Sequence, residues 1–191
     1  MTAARDLDRF AWAASLPFLV IHGAALATPL LVPATPGLAA LAAGLYLARM
    51  FGITAGYHRY FAHRAYRTGR GFQLFLAVLG GMSAQKGALW WAAHHRDHHR
   101  WSDAPEDLHS PVRQGFWWSH VGWFLVRRHD RTKLERIADF ARFPELRWLD
   151  RWHLVPPVAL GLGLSLLGGL PAFLWGFCVS TVALWHGTFL I

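Results

Sequence analysis

The chain has 191 residues, of which 54% are hydrophobic and 16% charged, and its formal net charge is +8. The apolar fraction lies above ordinary soluble usage and argues against a soluble protein. Eleven tryptophans and long apolar runs also fit poorly to a basic nucleic-acid-binding module, so an anionic membrane surface or anionic substrate is the expected partner. A single cysteine, Cys178, excludes a disulfide framework and a cysteine-based metal site.

Four apolar stretches are each about long enough to cross the roughly 30 Å hydrocarbon core of a bilayer. They cover residues 10–32, 38–56, 153–170 and 172–191. Glycine and proline mark turns at residues 33–37 and 168–171, which predicts two helical hairpins. We therefore predict an all-α integral membrane protein with four transmembrane helices, forming one domain over residues 1–191.

The segment between the hairpins, residues 57–152, is predicted to be a cytoplasmic helical cap. Of the 19 lysines and arginines, 16 lie between Arg59 and Arg151, and positive charge marks the cytoplasmic side of a membrane protein. The N-terminus falls on the same side. The expected location is a multi-pass protein of a bacterial inner membrane.

Three parts of the cap carry apolar residues. Residues 72–93 are apolar enough for a fifth span, but a crossing there would place two histidine clusters on opposite sides of the membrane. This stretch is therefore predicted to be an interfacial or protein-buried helix. Residues 116–126 are predicted to lie on the membrane surface, and residues 130–150 to form a solvated amphipathic helix.

Histidines form two clusters at the predicted membrane boundary: His58 and His63, then His94, His95, His98 and His99. On a helix the last group places His95, His98 and His99 on one face. His58 and His63 are about 140° apart on a regular helix, which suits two neighbouring ions, or one ion if the helix end unwinds. Packed imidazoles repel when protonated, and a cation removes that conflict by binding neutral rings, so the clusters predict a metal site.

Isolated histidines have a simpler interpretation. We expect His22 and His153 to have no metal role, and His129, beside Arg127 and Arg128, to lie on a solvated charged face. Imidazole suits zinc, copper, iron and nickel alike. Five or six ligands exceed one four-coordinate zinc, which favours a dinuclear centre. Iron in such a centre would give oxygen chemistry on apolar lipid chains.

Both clusters resemble the first two histidine boxes of the integral-membrane fatty acid desaturases, closest to the Δ9 acyl-CoA (stearoyl-CoA) type. The resemblance continues through Gly-Tyr-His-Arg at 56–59, Trp-Ala at 91–92, Ser-His-Val-Gly-Trp at 119–123 and Val-Arg-Arg-His at 126–129. It covers most of residues 56–129 and the two spans on either side.

The resemblance implies an oxidoreductase of fatty acid biosynthesis that desaturates a fatty acyl chain with O2 and two iron ions. The implied metal ligands are His58, His63, His95, His98 and His99. Two electrons per turnover would come from an external ferredoxin, rubredoxin or cytochrome b5 type donor, because the sequence has no Rossmann glycine motif, cysteine cluster or haem motif.

Further residues take supporting roles by the same resemblance. The substrate-binding set is Arg127, Arg128, Trp91 and His94, and the set that orients ligands or pocket groups is Asp107, His109 and His120. The two arginines fall where similar enzymes bind the phosphates of coenzyme A, while simple anchoring to the cytoplasmic face remains an alternative.

Two departures from the family pattern change the expectation. Ala93 and His94 stand where acyl-CoA enzymes carry an Arg-Asp pair, so acyl-lipid or acyl-carrier-protein substrates stay open beside acyl-CoA. The third box of the family, a further HxxHH cluster, does not occur in the 191 residues. We therefore expect an N-terminal portion of a longer desaturase, inactive and weak in metal binding by itself.

Two alternative functions use the same residues. A related histidine-box hydroxylase or conjugase would need the same ligands and is not distinguished by sequence. A non-catalytic membrane metal-binding or transport protein is disfavoured, because transport favours ionisable residues in the middle of spans. Apart from His153 at the first residue of the third stretch, the spans here carry only His22, Arg49 near an end, and His186.

Overall fold

The computed structural model describes residues 10–189, and this part of the chain is helical. Its helices are α1 (Trp12–Leu31), α2 (Pro36–Phe51), a first π-helix (Gly52–Ala62), α3 (Arg70–Gly81), α4 (Ala88–Trp101), α5 (Pro111–Gln114), α6 (Phe116–His120), α7 (Ala138–Ala141), α8 (Pro144–Arg151), α9 (Val155–Pro171), a second π-helix (Ala172–Val179) and α10 (Ser180–Phe189). Short 3-10 turns occupy Gly122–Phe124, Arg127–His129 and Leu134–Arg136. Within the described range β pairing is limited to one isolated bridge, between Phe10 and Val126.

Three helical stretches are long and apolar enough to cross a membrane: Trp12–Leu31, Pro36–Ala62 and Val155–Phe189. The turn predicted between the first two is present. There the Thr35 hydroxyl accepts a hydrogen bond from the Leu38 amide at 3.2 Å, and Pro36 opens α2, which is a typical helix start.

The third stretch bends sharply at the second predicted turn. Gly169 has φ +63°, outside the helical region, and Pro171 follows two residues later. A Cβ at Gly161 would lie 3.3 Å from the Phe173 ring, although a straight helix would separate these residues by about 18 Å. The chain therefore folds back on itself at residues 168–171.

The first π-helix packs unusually closely against α3. A Cβ at Gly52 would lie 2.6 Å from the backbone nitrogen of Gly80, and a Cβ at Gly80 would lie 2.3 Å from the Tyr57 ring. Gly52 is thus required by the close approach of two backbones and Gly80 by the Tyr57 ring, which is fully buried. This contact holds the π-helix that carries the first histidine cluster against α3.

The prediction of one helix over residues 72–93 is wrong, because two helices share this stretch. α3 ends at Gly81 and α4 begins at Ala88, and Ala84 and Lys86 between them have positive φ. Neither helix is among the candidate membrane helices. Gly80, Gly81 and Gly87 weaken helix propensity here, and the loop turns α4 back toward the first cluster.

The single amphipathic helix predicted over residues 130–150 is also wrong. The chain instead forms a 3-10 turn, α7 and α8, and Pro144 opens the last of these because its ring ends the preceding helical turn. The predicted apolar side is nevertheless real, since Ile137 and Phe140 are buried in the main core, as are Leu146 and Leu149 of α8.

A buried arginine joins the membrane helices. Arg49 of α2 is 1% exposed and donates to the Thr181 hydroxyl at 2.7 Å and to the Met82 carbonyl at 3.3 Å. It also donates to Ser180 and to the Leu45 carbonyl. These neutral acceptors connect α2, α10 and the loop that precedes α4.

Candidate metal centre

The first π-helix brings His58 and His63 together. The His63 amide donates to the His58 carbonyl at 3.0 Å, an i to i+5 bond that closes one π turn. Their Nε2 atoms are 3.0 Å apart. The separation of about 140° expected for a regular helix is therefore wrong, because the wider turn places residues i and i+5 above one another.

Two histidines of α4 complete a four-membered group. His63 Nε2 lies 3.2 Å from His95 Nε2, and His95 Nε2 lies 3.0 Å from His99 Nε2. The ligand atoms of His58, His63, His95 and His99 all fall within 4.8 Å of one another. Both sequence clusters thus converge on one point. This agrees with the prediction that residues 72–93 do not place them on opposite sides of a membrane. We call these four residues the convergent cluster.

The fifth expected ligand, His98, lies beside this group in a different setting. Its Nδ1 is 2.9 Å from Asp107 Oδ1, so the carboxylate accepts from Nδ1–H and leaves the Nε2 lone pair for a cation. Burial alone would raise the pKa of Asp107. Hydrogen bonds from His98 and from the Asp103 and His109 amides outweigh it and hold that pKa below its usual range.

His98, Asp107 and His109 form a second compact group of possible ligand atoms. The His98 and His109 rings, however, are stacked with centroids 4.3 Å apart and planes only 19° apart. An imidazole binds a metal in the plane of its ring, so two parallel stacked rings do not readily share one ion. His109 therefore lies where it supports His98 rather than where it would share a metal with it.

The donor chemistry of the convergent cluster fits a transition metal. Burial, with the nearby His58, His99 and His63 rings, lowers the pKa of His95 to about 2. Burial also lowers the pKa of His99. These rings are neutral at physiological pH, and their lone pairs face a common point where a divalent cation would relieve their mutual repulsion.

Arg96, next to His95 in α4, supports the convergent cluster, and sequence analysis missed it. Its guanidinium donates to the Phe61 carbonyl at 2.7 Å and the Ala62 carbonyl at 3.1 Å, at the end of the π-helix. It also forms a two-pronged pair with Asp139 at 2.9 and 3.0 Å. Arg96 thus locks the two histidine-bearing helices together.

A second missed residue, Asp150, caps α4. Its carboxylate accepts from the Trp90 amide at 2.8 Å and the Thr132 hydroxyl at 2.7 Å. A Cβ at Gly87 would lie 2.5 Å from Asp150 Oδ1, so only glycine fits at this helix start. Burial raises the pKa of Asp150 despite these hydrogen bonds. Nothing local in the sequence marks a cap supplied from 60 residues away.

A cavity of about 640 Å³ extends from the convergent cluster into the membrane helices. At one end it is lined by His58 and His95, and Trp91 stacks on the His95 ring at 4.7 Å. Leu162 of α9 and Phe173 and Phe177 of the second π-helix line it on either side of the chain reversal. The cavity therefore joins a polar, metal-binding end to an apolar end.

His94 also lines the cavity and is 2% exposed. Its Nδ1 donates to the Trp90 carbonyl at 2.8 Å, and among the described residues its Nε2 has no hydrogen-bond partner. Burial lowers the pKa of His94 to about 4, so the ring offers the cavity a neutral acceptor.

Arg127 and Arg128 occupy an exposed 3-10 turn and are not among the described residues that line this cavity. The prediction that neighbouring His129 is solvated is wrong, because His129 is 6% exposed and burial lowers its pKa to about 4. Its carbonyl accepts from Trp90 Nε1 at 2.7 Å, which ties this turn to α4.

Three other histidines have surroundings that the sequence did not indicate. His153 lines the cavity, and His22 is not isolated, because its Nε2 lies 3.0 Å from His186 Nε2. His120, expected to support the metal ligands, contacts His186 instead, at 3.0 Å. Of the three residues expected to support the ligands, Asp107 and His109 therefore lie beside His98, whereas His120 lies beside His186.

Comparison with known proteins identifies relatives for most of the chain. The profile of the family described as fatty acid desaturase matches residues 33–191. The sn-1 stearoyl-lipid 9-desaturase of Anabaena variabilis is 34% identical over 184 residues, covering 94% of this chain and 66% of that protein. The sn-2 palmitoyl-lipid 9-desaturase of a Nostoc species is 32% identical, covering 94% and 64%.

A human relative, stearoyl-CoA desaturase 5, is 32% identical over 177 residues, covering 90% of this chain and 51% of that protein. The chain thus spans about half to two thirds of the length of these three relatives.

Proposed function

The chain belongs to the fatty acid desaturase family, and on that basis we propose that its histidine centre serves the oxygen-dependent desaturation of a fatty acyl chain. One observation carries the proposal: four imidazole nitrogens from two sequence clusters converge within 4.8 Å at the polar end of a partly apolar cavity. A metal there would lie beside any acyl chain that fills the cavity.

We assign two iron ions to the centre. His58, His63, His95 and His99 would hold one, and His98 would contribute to the second. Iron bound there would activate dioxygen to an oxidant strong enough to remove hydrogen from unactivated methylene groups. Asp107 keeps Nδ1 of His98 protonated so that Nε2 faces the centre, and Trp91 holds the plane of the His95 ring by stacking on it.

The cavity holds the acyl chain in position and keeps water away from it. Its apolar end takes the methyl-terminal part of the acyl chain, and the walls near Trp91 and His95 present two neighbouring methylene groups to the centre. Because the protein fixes how deep the chain reaches, cavity length decides which carbons react. The apolar lining also excludes water that would divert the oxidant.

The chain reversal at residues 168–171 supports a proposal for the membrane arrangement. We propose four spans in two hairpins, with the third candidate stretch divided at Gly169, and a cap on the cytoplasmic side of a bacterial inner membrane. Electrons come from a ferredoxin, rubredoxin or cytochrome b5 type donor in the cytoplasm, and the basic cap favours an acidic one.

The acyl carrier is proposed to be a lipid or coenzyme A, since the names of the relatives include both kinds of desaturase. Arg127 and Arg128 are exposed on the cap, where either a phospholipid headgroup or the phosphates of coenzyme A would find bidentate donors.

The test is complementation of a desaturase-deficient host with the protein, followed by fatty acid profiling and by iron analysis with Mössbauer spectroscopy. From a full-length desaturase that contains these residues we expect a monounsaturated product and two irons, both lost in His95→Ala and retained in Arg67→Ala, a matched change of an exposed cation near the first cluster. Residues 1–191 alone should give neither. A hydroxylated product would support the hydroxylase alternative, and zinc without iron would refute the proposal.

A further inference from the structure

Three histidines from distant parts of the chain form a hydrogen-bonded line. His22 lies on α1, His120 on α6 and His186 on α10. His186 Nε2 is 3.0 Å from His22 Nε2, and His186 Nδ1 is 3.0 Å from His120 Nε2. We call these residues the histidine line. Because His186 uses both ring nitrogens, the three rings do not converge on one point and cannot bind one ion together.

Each end of the histidine line meets a backbone carbonyl. His22 Nδ1 lies 2.7 Å from the Phe18 carbonyl oxygen, and His120 Nδ1 lies 3.2 Å from the Phe189 carbonyl oxygen. A carbonyl only accepts hydrogen bonds, so each end contact needs an N–H on the ring. Each of the two ring-to-ring contacts also needs one proton between its nitrogens.

The number of protons then decides the state of the line. Four contacts need four protons, whereas three neutral imidazoles carry three. Starting from the short Phe18 contact, the tautomers follow in turn: Nδ1–H on His22, Nε2–H on His186 and Nε2–H on His120. The contact without a proton is the longest, at 3.2 Å, where two lone pairs of His120 and Phe189 face each other.

The surroundings limit uptake to one proton. Aromatic rings pack against the line, including Phe18 and Trp185 beside His22 and Phe116 beside His120. Among the described residues, the ionisable groups that act electrostatically on His186 are His22 and His120, and no carboxylate does so. A second added proton would set two cations next to each other without a counter-ion, which is costly in an apolar setting.

We propose that the histidine line is a single proton-accepting unit, which takes up one proton at Nδ1 of His120 and thereby attaches α6 more firmly to α10. The proton comes from solvent and forms an N–H bond that donates to the Phe189 carbonyl, while the positive charge is shared along three rings. Ser119 and Phe124, next to this attachment, line the cavity. Proton uptake therefore fixes one wall of the cavity.

Nitrogen NMR tests the proton count directly. The full chain is labelled with 15N-histidine and prepared without paramagnetic metal. His22, His120 and His186 are assigned by single changes to glutamine, with His153→Gln as a control. Above about pH 8 we expect lone pairs at Nδ1 of His120, Nδ1 of His186 and Nε2 of His22. Between about pH 8 and about pH 5 the three rings should take up one proton together.

Three separate one-proton titrations, or an Nδ1–H on His120 at high pH, would overturn the proposal. Hydrogen exchange over residues 116–124 gives a second measurement. After correction for intrinsic rates, we expect exchange about fivefold slower at the lower pH in the native chain, with no change in His120→Gln. Neither measurement needs iron or turnover, so either can fail while the proposed desaturase function stands, and the reverse also holds.

Discussion

The convergent cluster and the histidine line use one residue type at the same spacing but in opposite ways. In both, ring nitrogens approach to 3.0 to 3.2 Å. Each ring of the convergent cluster offers Nε2 to a shared point. In the line, His186 uses Nε2 to contact His22 and Nδ1 to contact His120.

The comparison shows that short distances between histidines do not by themselves indicate a metal site. Lone pairs that share one point need a cation, whereas lone pairs and N–H groups that alternate along a line need only a suitable proton count. A substitution that affects one group and leaves the other unchanged therefore tests this distinction.

Removal of one ring should separate the two groups most strongly. In His95→Ala we expect metal affinity to fall at least about 100-fold, because His95 contacts both His63 and His99 within the cluster. In His186→Ala metal affinity should stay unchanged. Competition titration of zinc or cobalt against a chelator measures both. Equal losses would show that the histidine line contributes to the metal site.

Arg96 sharpens the comparison by supporting only the convergent cluster. Arg96→Leu removes the pair with Asp139 and leaves the Phe61 and Ala62 carbonyls without their donor, so we expect a loss of about 2–3 kcal/mol in unfolding free energy. Metal affinity should fall as well. Arg96→Lys keeps the positive charge but not the paired donors of the guanidinium. Its unfolding free energy and metal affinity should lie between those of the native chain and of Arg96→Leu. Chemical unfolding in detergent gives the values, and an unaffected metal affinity would contradict the role of Arg96.

The helix cap should have a smaller effect on the same cluster. Asp150→Ala leaves the Trp90 amide without an acceptor at the start of α4, at a cost of about 1–2 kcal/mol. Asp150→Asn keeps one acceptor oxygen and should lose less. Thermal unfolding compares the two, and the NMR signals of the histidine line should not change in either. Equal losses in both variants would show that the negative charge, rather than the hydrogen bond, matters.

An ion pair that belongs to neither group should show the smallest effect. The guanidinium of Arg70 donates to both carboxylate oxygens of Glu145 at 2.6 and 2.7 Å and lowers the Glu145 pKa to about 2. A depressed carboxylate pKa stabilises the fold above about pH 4, and that stabilisation is lost as the pH falls toward about 2.

The Arg70 side chain is exposed and the Glu145 side chain half-buried, so the difference in melting temperature between the native chain and Glu145→Gln should be slight at neutral pH and vanish near about pH 2. If the difference in melting temperature grew as the pH fell, the expected direction of the pH dependence would be wrong.

The sequence predicts what depends on neighbouring residues. The apolar stretches, the turns at residues 33–37 and 168–171, and the membership of both histidine clusters were all apparent from local pattern. The relation of His58 to His63 was not, because it depends on a π-helix that packs through Gly52 against Gly80, 28 residues away.

The histidine line was missed for a related reason. His22, His120 and His186 each stand alone in the sequence, and only tertiary packing joins them. The same applies to Asp150, whose capping partner lies 60 residues earlier, and to Arg96, whose carbonyl partners belong to another helix. Side chains that act across the fold leave no local signal.

Arg49 has a consequence for the synthesis of the protein. One of its hydroxyl partners, Thr181, is added to the chain 132 residues later, on the order of 10 s at ordinary translation rates. Until then Arg49 has the Leu45 carbonyl of its own helix as an acceptor but lacks both hydroxyls of α10. An arginine in an apolar stretch costs free energy while its donors lack partners. The hydrogen bonds of Arg49 are therefore complete only after α10 has been synthesised.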